Sequence, residues 1–402
     1  MLWRANLEAT ALGGRAIVDF LTAHEQVGAE RVTFSSSGVP EHRAATSDVV
    51  HPRQHPLMSP TKLSGAGLMS AMSRGDSVIF NHADDVHPLL GALADDLGRL
   101  LGGGGQVFFA NSGAEANECA MKLARKWAGH GRHVVVSTYG SFHGRTMATL
   151  AATGQPAKHE PFAPMPDGYR HVAWADLAHL ESAIDETVSA VIIEPIQGEG
   201  GVHPADPEYL AGIRRLCDER NLLMILDEVQ TGLGRTGEWF GFQHADVAPD
   251  VVTMAKALGN GVPISACWAK AEVAAAFQPG DHATTFGGNP LCTAAARATL
   301  EVMEDEDVPG KARHAGALLR GALEELRGVS SVRGAGLLLA VELDGLDAPK
   351  VAGDLLSAGV IVNAVTPTAL RLAPSLLISD DEVAEATRRI GVTLAANRAE
   401  VD

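Results

Sequence analysis

From about residue 106 onward, short apolar runs rich in β-branched residues alternate with longer segments of helical period, and no other feature of this chain restricts its fold as much. The runs fall at 106–110, 133–137, 190–194, 222–227, 251–254 and 264–268. Each is short for a helix and too uniformly apolar to keep one face in water, the pattern of strands covered on both faces. Such strands alternating with helices imply βα units around a mostly parallel sheet, hence an α/β fold. After the first run, residues 114–127 place Ala116, Ala120, Leu123, Ala124 and Trp127 on one helical face, predicting a helix that packs on the sheet.

Near residue 300 the pattern changes. A helical stretch at 311–326 precedes strand-like segments at 329–332, 337–343, 361–363 and 370–372, and a helix at 381–397 follows. These predict a smaller C-terminal α+β unit. A length of 402 residues accommodates two or three units at ~100–200 residues each. The expected division is an atypical N-terminal segment, 1–60, a large unit, 61–295, and a small unit, 296–402. Residues 16–30 read as an amphipathic helix, 35–60 as mostly loop, and 90–101 as a helix leading into the first strand. The glycine run 102–105 reads as a turn before that strand.

Charge and spacing exclude several classes of partner. Thirty-two Lys plus Arg face forty-nine Asp plus Glu, a formal charge of −17 with no basic run, so neither nucleic acid nor an anionic membrane is an expected partner. No apolar run approaches the ~20 residues of a membrane span. Arg4, Glu8, Arg15 and Asp19 interrupt the N-terminus, where a signal peptide requires a continuous apolar stretch. Cys119, Cys217, Cys267 and Cys292 form no CxxC pair, which suits a reducing cytoplasm. His51, His55, His82 and His87 match no ligand spacing and read as loop histidines, so no metal site is expected.

Three features carry chemistry. The segment Asn111-Ser112-Gly113-Ala114-Glu115-Ala116-Asn117-Glu118 follows a strand and opens a helix, whose unpaired N–H groups and positive end suit an anion. It lacks GxGxxG and GKS/T, so an isolated phosphate matches better than a dinucleotide; an ordinary N-cap by Asn111 or Ser112 accounts for the same residues. Asp227, followed by Glu228, ends the run 222–227 at the sheet edge where open α/β folds bind ligands. A carboxylate buried there needs a cation or several donors, and the protonated ring nitrogen of pyridoxal phosphate is one such cation; a metal ion or a helix end are the alternatives. Lys256 follows the run 251–255 and precedes the turn 258–261. An amine desolvated at that edge has a lowered pKa and suits Schiff-base chemistry, although a strand-end lysine is often simply solvated. Anion cradle, acidic ring partner and nucleophilic amine together are the three attachments that pyridoxal phosphate requires.

Five ordered motifs extend this reading: Asn111 to Glu118 as above, Phe142-His143-Gly144-Arg145-Thr146, Glu194-Pro195-Ile196-Gln197-Gly198-Glu199-Gly200-Gly201, Leu226-Asp227-Glu228-Val229-Gln230-Thr231-Gly232-Leu233-Gly234-Arg235-Thr236, and Thr284-Thr285-Phe286-Gly287-Gly288-Asn289-Pro290. Over 106–393 the chain resembles the class III aminotransferases of pyridoxal-phosphate fold type I, most closely the acetylornithine and ornithine aminotransferases. The resemblance implies a large domain with a mostly parallel seven-stranded sheet and a smaller C-terminal α+β domain. It implies that Lys256 is the Schiff-base lysine and proton shuttle and that Asp227 pairs with the ring nitrogen. Gln230 would lie near the phenolic oxygen, Phe142 and Val229 on either side of the ring, and Ser112, Gly113 and Ala114 on the phosphate. Thr285 would reach the phosphate site of the neighbouring subunit, making the enzyme a homodimer with shared active sites.

For substrates, the resemblance implies that Arg145 clamps a carboxylate and that Glu199 and Arg371 form a switch. Glu199 would neutralise Arg371 while a basic amino donor is bound, and Arg371 would swing free to hold the α-carboxylate of glutamate. For both residues a surface ion pair is the plainer reading, and for Arg371 also a solubilising charge at a strand edge. The implied reaction transfers the amino group of acetylornithine, ornithine or a related diamino or ω-amino acid to 2-oxoglutarate by a ping-pong cycle, in arginine biosynthesis or in specialised metabolism. The same cofactor residues would serve a decarboxylase, racemase or aminomutase, or persist in a non-catalytic paralogue. The first hundred residues depart from the family, lacking its Gly-rich Trp-Asp turn and its Gly-His-x-His-Pro element; Tyr139, Tyr169 and Tyr209, the three tyrosines, all lie beyond that region.

Overall fold

A computed structural model describes residues 88–401. The helix expected at 16–30, the loop at 35–60, His51, His55, His82, His87 and most of the divergent N-terminal region lie outside the described residues.

Seven strands form the central sheet: β1 (Gly105–Ala110), β2 (Val134–Thr138), β3 (Tyr169–Val172), β4 (Val188–Ile193), and, after a two-residue hairpin of β5 (Ile196–Gln197) and β6 (His203–Pro204), β7 (Leu223–Asp227), β8 (Val251–Met254) and β9 (Ser265–Lys270). Their order is β1-β9-β8-β7-β4-β2-β3, and every pair is parallel except the two made by β9. Alternate residues of one strand feed different cores. Val107, Val136, Val191, Ile193 and Met224 enter one, with Leu93 and Leu97 of the helix Pro88–Leu100 and Ile213 of the helix Pro207–Arg220. Phe108, Val135, Ile192 and Ile225 enter the other, with Ala116, Ala120, Leu123 and Ala124 of the helix Gly113–Ala128. Two filled faces explain why these strands are apolar at consecutive positions.

A second sheet is antiparallel, in the order β10-β11-β13-β12, built from β10 (Val329–Ala335), β11 (Leu338–Leu343), β12 (Asn363–Ala364) and β13 (Ala369–Leu372). It shares its own core with the helices Val308–Glu324, Ala348–Ser357 and Asp380–Val401. The helix Pro290–Asp305 packs against the helices Pro88–Leu100 and Val308–Glu324 and gives Leu300 and Met303 to the core of the larger sheet. Two arginines join the sheets through backbone carbonyls. Arg235 donates to the carbonyls of Leu337 at 3.1 Å and Pro374 at 2.6 Å, and burial lowers its pKa to about 10. Arg333 donates to the carbonyl of Gly201 at 2.9 and 2.7 Å and pairs with Glu342 at 2.7 Å. Among the described residues, no helix is long and apolar enough to cross a membrane.

The strand expected at 361–363 is corrected to β12 at Asn363–Ala364. Val360 and Val362 pack on the small core while Ile361 is exposed, so the apolar run marks chain approaching an edge rather than a paired strand. β3 lay outside the expected strands because it has one neighbour and carries Arg170 and His171 among its four residues. The glycine run forms the expected turn, with Gly102, Gly103 and Gly104 all at positive φ.

Gly105 is required by close approach rather than by φ. A Cβ there would stand 2.1 Å from Nε1 of Trp268, whose indole is buried in the large core. Gly105→Ala is therefore expected to destabilise the protein by about 1–3 kcal/mol through overpacking. Denaturant midpoints for the two proteins check this, and coincident unfolding curves would contradict it.

Candidate active site

The carboxyl ends of the parallel strands open into a cavity of about 530 Å³, a size suited to a cofactor. Ser112, Gly113, Ala114, Phe142, Arg145, Asp227, Val229, Gln230 and Lys256 all line it, although they are spread over more than 140 residues of sequence. Glu199, Arg371 and Thr285 stand outside the lining.

At the helix Gly113–Ala128 both readings of the sequence hold. Ser112 is the N-cap, its hydroxyl accepting from Glu115 N at 3.3 Å, and the Glu115 carboxylate accepts in return from Asn111 N at 2.9 Å. The two contacts tie the cap and the residue before it to the first turn of the helix. They leave the N–H groups of Gly113 and Ala114, which no intrahelical carbonyl can reach, at the cavity wall as anion donors. A Cβ on Gly113 would stand 2.8 Å from Cγ1 of Val229, so only glycine lets the helix end and Val229 lie this close.

Asp227 ends β7 almost fully buried, yet its oxygens are well supplied with donors. Oδ2 accepts from Asn117 Nδ2 at 2.7 Å and from His143 Nδ1 at 2.8 Å, and Oδ1 accepts from Val229 N at 3.1 Å. Asn117 is held in turn by the Thr253 hydroxyl, which donates to its Oδ1 at 2.7 Å, and by the carbonyl of His143, which accepts from its Nδ2 at 2.8 Å. These donors replace the hydration that the carboxylate loses on burial. The neighbouring Glu228 faces elsewhere: it accepts from the amides of Gly241 and Phe242, both at 2.9 Å, and from the Thr231 hydroxyl, fastening the loop after β7. Burial raises its pKa to about 7.

Lys256 follows β8 with φ at 44°, a left-handed backbone that costs a non-glycine residue about 1–3 kcal/mol. Its side chain is accessible from the cavity but hemmed in by protein. Desolvation lowers its pKa, against Asp227 and Glu194, which raise it. The Arg145 guanidinium lies 5.4 Å from the centroid of the Phe142 ring, a cation–π stack that orients its fork at the cavity mouth.

Glu199 and Arg371 form an ion pair of 2.7 Å, with both charges near enough to act on Lys256. Arg371 does not stand at a strand edge, because β13 has partners on both sides, with Arg371 opposite Ala340 and Asn363. Its side chain is only 14% exposed, which separates it from an ordinary surface pair. Thr285 is exposed; the adjacent Thr284 accepts from Asn111 Nδ2 at 3.4 Å, so the segment bearing Thr285 lies against the cradle of its own chain.

Three residues of the site have no role in the sequence reading, although they stand inside its motifs: Asn117, His143 and Glu194. Thr253 belongs with them, behind Asn117. Polar residues inside apolar elements are the available signal, since Asn117 interrupts the packing face of a helix and Thr253 a buried strand. Glu194 accepts from Phe142 N at 3.0 Å and Gly198 N at 3.2 Å; burial raises its pKa to about 7, with Asp227 adding to the effect and His143 opposing it.

The donor set fits pyridoxal phosphate. Backbone amides at a helix end, a supported carboxylate, a desolvated lysine and apolar side walls from Phe142 and Val229 meet in one cavity, as a phosphate, a ring nitrogen, an aldehyde and an aromatic face require. The family model for class-III aminotransferases matches residues 77–394. The acetylornithine aminotransferase of Corynebacterium efficiens is 50% identical over 293 residues, covering 72% of this chain and 72% of that protein. That of Caldanaerobacter subterraneus subsp. tengcongensis is 47% identical over 304 residues, covering 73% and 77%. A crystal structure of the ornithine aminotransferase from Toxoplasma gondii, described with partial occupancy of pyridoxal phosphate at its active site, superposes with a TM-score of 0.74 at 34% identity, covering 83% of this chain and 82% of that one. With the sheet, the cavity and these matches in agreement, the chain belongs to the class-III aminotransferases, enzymes of pyridoxal-phosphate fold type I.

Proposed function

We propose that the amino donor of this aminotransferase is N-acetylornithine, or a closely related basic amino acid, and that the acceptor is 2-oxoglutarate. The observation that carries the reading is the Glu199–Arg371 pair at 2.7 Å beside the cavity. An enzyme that takes a donor with one free carboxylate in one half-reaction and glutamate in the other needs a cation that can be hidden and exposed. A partly buried arginine with an accessible carboxylate partner meets that need. The relatives named as acetylornithine aminotransferases support the same donor.

When bound, pyridoxal phosphate supplies an aldehyde that condenses with the substrate amine and a protonated ring that takes up the electron pair of the broken Cα–H bond. Ser112, Gly113 and Ala114 are proposed to hold the phosphate, Phe142 and Val229 to flank the ring, Gln230 to lie at the phenolic oxygen and Asp227 to keep the ring nitrogen protonated. Lys256 Nζ is proposed to take the proton from substrate Cα, and desolvation, which lowers its pKa, favours the neutral amine that this task needs. Arg145 is proposed to bind the distal carboxylate of glutamate or the single carboxylate of the basic donor.

The reading includes a homodimer in the cytoplasm, with Thr285 contributing to the partner's phosphate site. Supporting it, Phe286 and Leu291 beside Thr285 are 71% and 43% exposed, an apolar surface that suits a second copy. It also includes the division into a large unit, 61–295, and a small unit, 296–402; the separate cores of the two sheets support two units, while the helix Pro290–Asp305, which crosses that boundary, packs Ala296, Leu300 and Met303 on the larger core.

A panel of amino donors assayed against 2-oxoglutarate tests the donor. Glutamate is expected in stoichiometric yield, with N-acetylornithine giving the highest kcat/KM; failure of every basic donor would refute the proposal. Lys256→Ala is expected to lower kcat by more than about 10³-fold, since nucleophile and base are lost together, while the melting temperature stays near that of the parent. Activity within tenfold of the parent would remove Lys256 from the mechanism. Asn117→Ala takes one donor from the Asp227 carboxylate, a contact worth about 1.5–3 kcal/mol, and is expected to reduce kcat/KM roughly 10- to 100-fold. Unaltered steady-state kinetics would show that Asp227 holds its position without it.

A further inference from the structure

We propose that Glu194 is a positioning residue that ties the two walls of the substrate cavity together and so biases the Glu199–Arg371 pair toward one of the two substrates. The proposal rests on the preceding reading that this pair sorts a basic donor from glutamate. Glu194 follows β4, which lies between β2 and β7, so it emerges at the middle of the cavity floor. Oε2 accepts from Phe142 N at 3.0 Å, in the segment after β2, and Oε1 accepts from Gly198 N at 3.2 Å, in the turn of the β5–β6 hairpin.

Each contact leads directly to a group that faces substrate. On one side, the Phe142 ring carries the Arg145 guanidinium at 5.4 Å. On the other, Gly198 precedes Glu199, whose carboxylate holds Arg371 at 2.7 Å. Gly198 is also the point at which the hairpin meets Gln230: a Cβ there would stand 1.9 Å from Gln230 Oε1. The distance between the Arg145 clamp and the Glu199–Arg371 pair is thus spanned by a single side chain, 5% exposed, that accepts one hydrogen bond from each side.

A carboxylate can accept on both oxygens, whereas a carboxamide of the same shape accepts on one and presents a donor on the other. Glu194→Gln therefore releases one wall while preserving volume. With the hairpin loosened, Glu199 covers Arg371 less well, and the exposed cation opposes a basic donor more than it opposes glutamate.

Four purified holoenzymes test this: the parent, Glu194→Gln, Glu199→Gln and the double variant. Each half-reaction is followed separately by cofactor absorbance, with N-acetyl-L-ornithine or with L-glutamate, alongside thermal melting and retention of pyridoxal phosphate on dialysis. The expected result is an apparent KM for the basic donor that rises about tenfold relative to that for glutamate in Glu194→Gln, the size of one lost hydrogen bond to a charged group. In the Glu199→Gln background the same change is expected to add nothing, because it acts through Glu199. Equal changes for both substrates, or effects that multiply in the double variant, would overturn the proposal and leave Glu194 as a structural brace read out by melting and cofactor retention alone. Should Glu194→Gln not fold, Glu194→Asp, too short to reach both amides, replaces it with the same criteria. A parent enzyme inert toward N-acetylornithine would refute the donor assignment instead; the glutamate KM across the four proteins then decides, non-multiplicative effects supporting the role of Glu194 and multiplicative ones refuting it.

Discussion

A carboxylate taken out of water at the end of a buried strand costs several kcal/mol unless donors replace its hydration, and Asp227 is in that position. Its donors arrive from three directions: Asn117 from a helix on one face of the sheet, His143 from the loop after β2, and the amide of Val229 from its own turn. Thr253, next to Asp227 across β7 and β8, fixes Asn117 from behind. Meeting the demand of one ion thereby sets helix, loop and two strands in a single relative position, and the cavity is the space that remains between them.

Layering explains why that space lies where it does. Helices cover both faces of the large sheet, so the strand ends are the only surface at which side chains from several strands can converge on a ligand. Lys256 and Asp227 end neighbouring strands, Glu194 ends the next, and the amides of Gly113 and Ala114 close the ring from the helix that follows β1. The second sheet adds what the first lacks. Arg371 comes from β13; Arg333 binds that sheet to the carbonyl of Gly201, and Arg235, from the loop after β7, donates to the carbonyls of Leu337 and Pro374 beside it. Guanidinium groups on carbonyl dipoles hold such a junction while leaving Glu199 available to Arg371.

Much of this was legible in the sequence, for identifiable reasons. Strands covered on both faces are apolar on both, with few polar interruptions, which is why β1, β4, β7 and β8 stand out as runs. Chemistry at strand ends is visible because Asp227 and Lys256 each terminate such a run. β3 was hidden by its edge position, which lets Arg170 and His171 reach water, and the helices Pro207–Arg220 and Pro290–Asp305, capped by Asp206 and Asn289, were not among the expected ones. Asp227 and Glu228 read as one acidic pair, but strand alternation sends one to the cavity and the other to the loop at Gly241.

What the sequence determined by itself is the set of elements and the identity of the reactive groups, since hydrophobic period and residue chemistry are local properties of a chain. What the tertiary structure decided is how those groups are supported: Asn117 on Asp227 across 110 residues, Glu199 on Arg371 across 172, and Glu194 between Phe142 and Gly198. A hydrogen bond acts over about 3 Å of space whatever the separation along the chain, so its partner becomes definite only once the strands have been placed side by side.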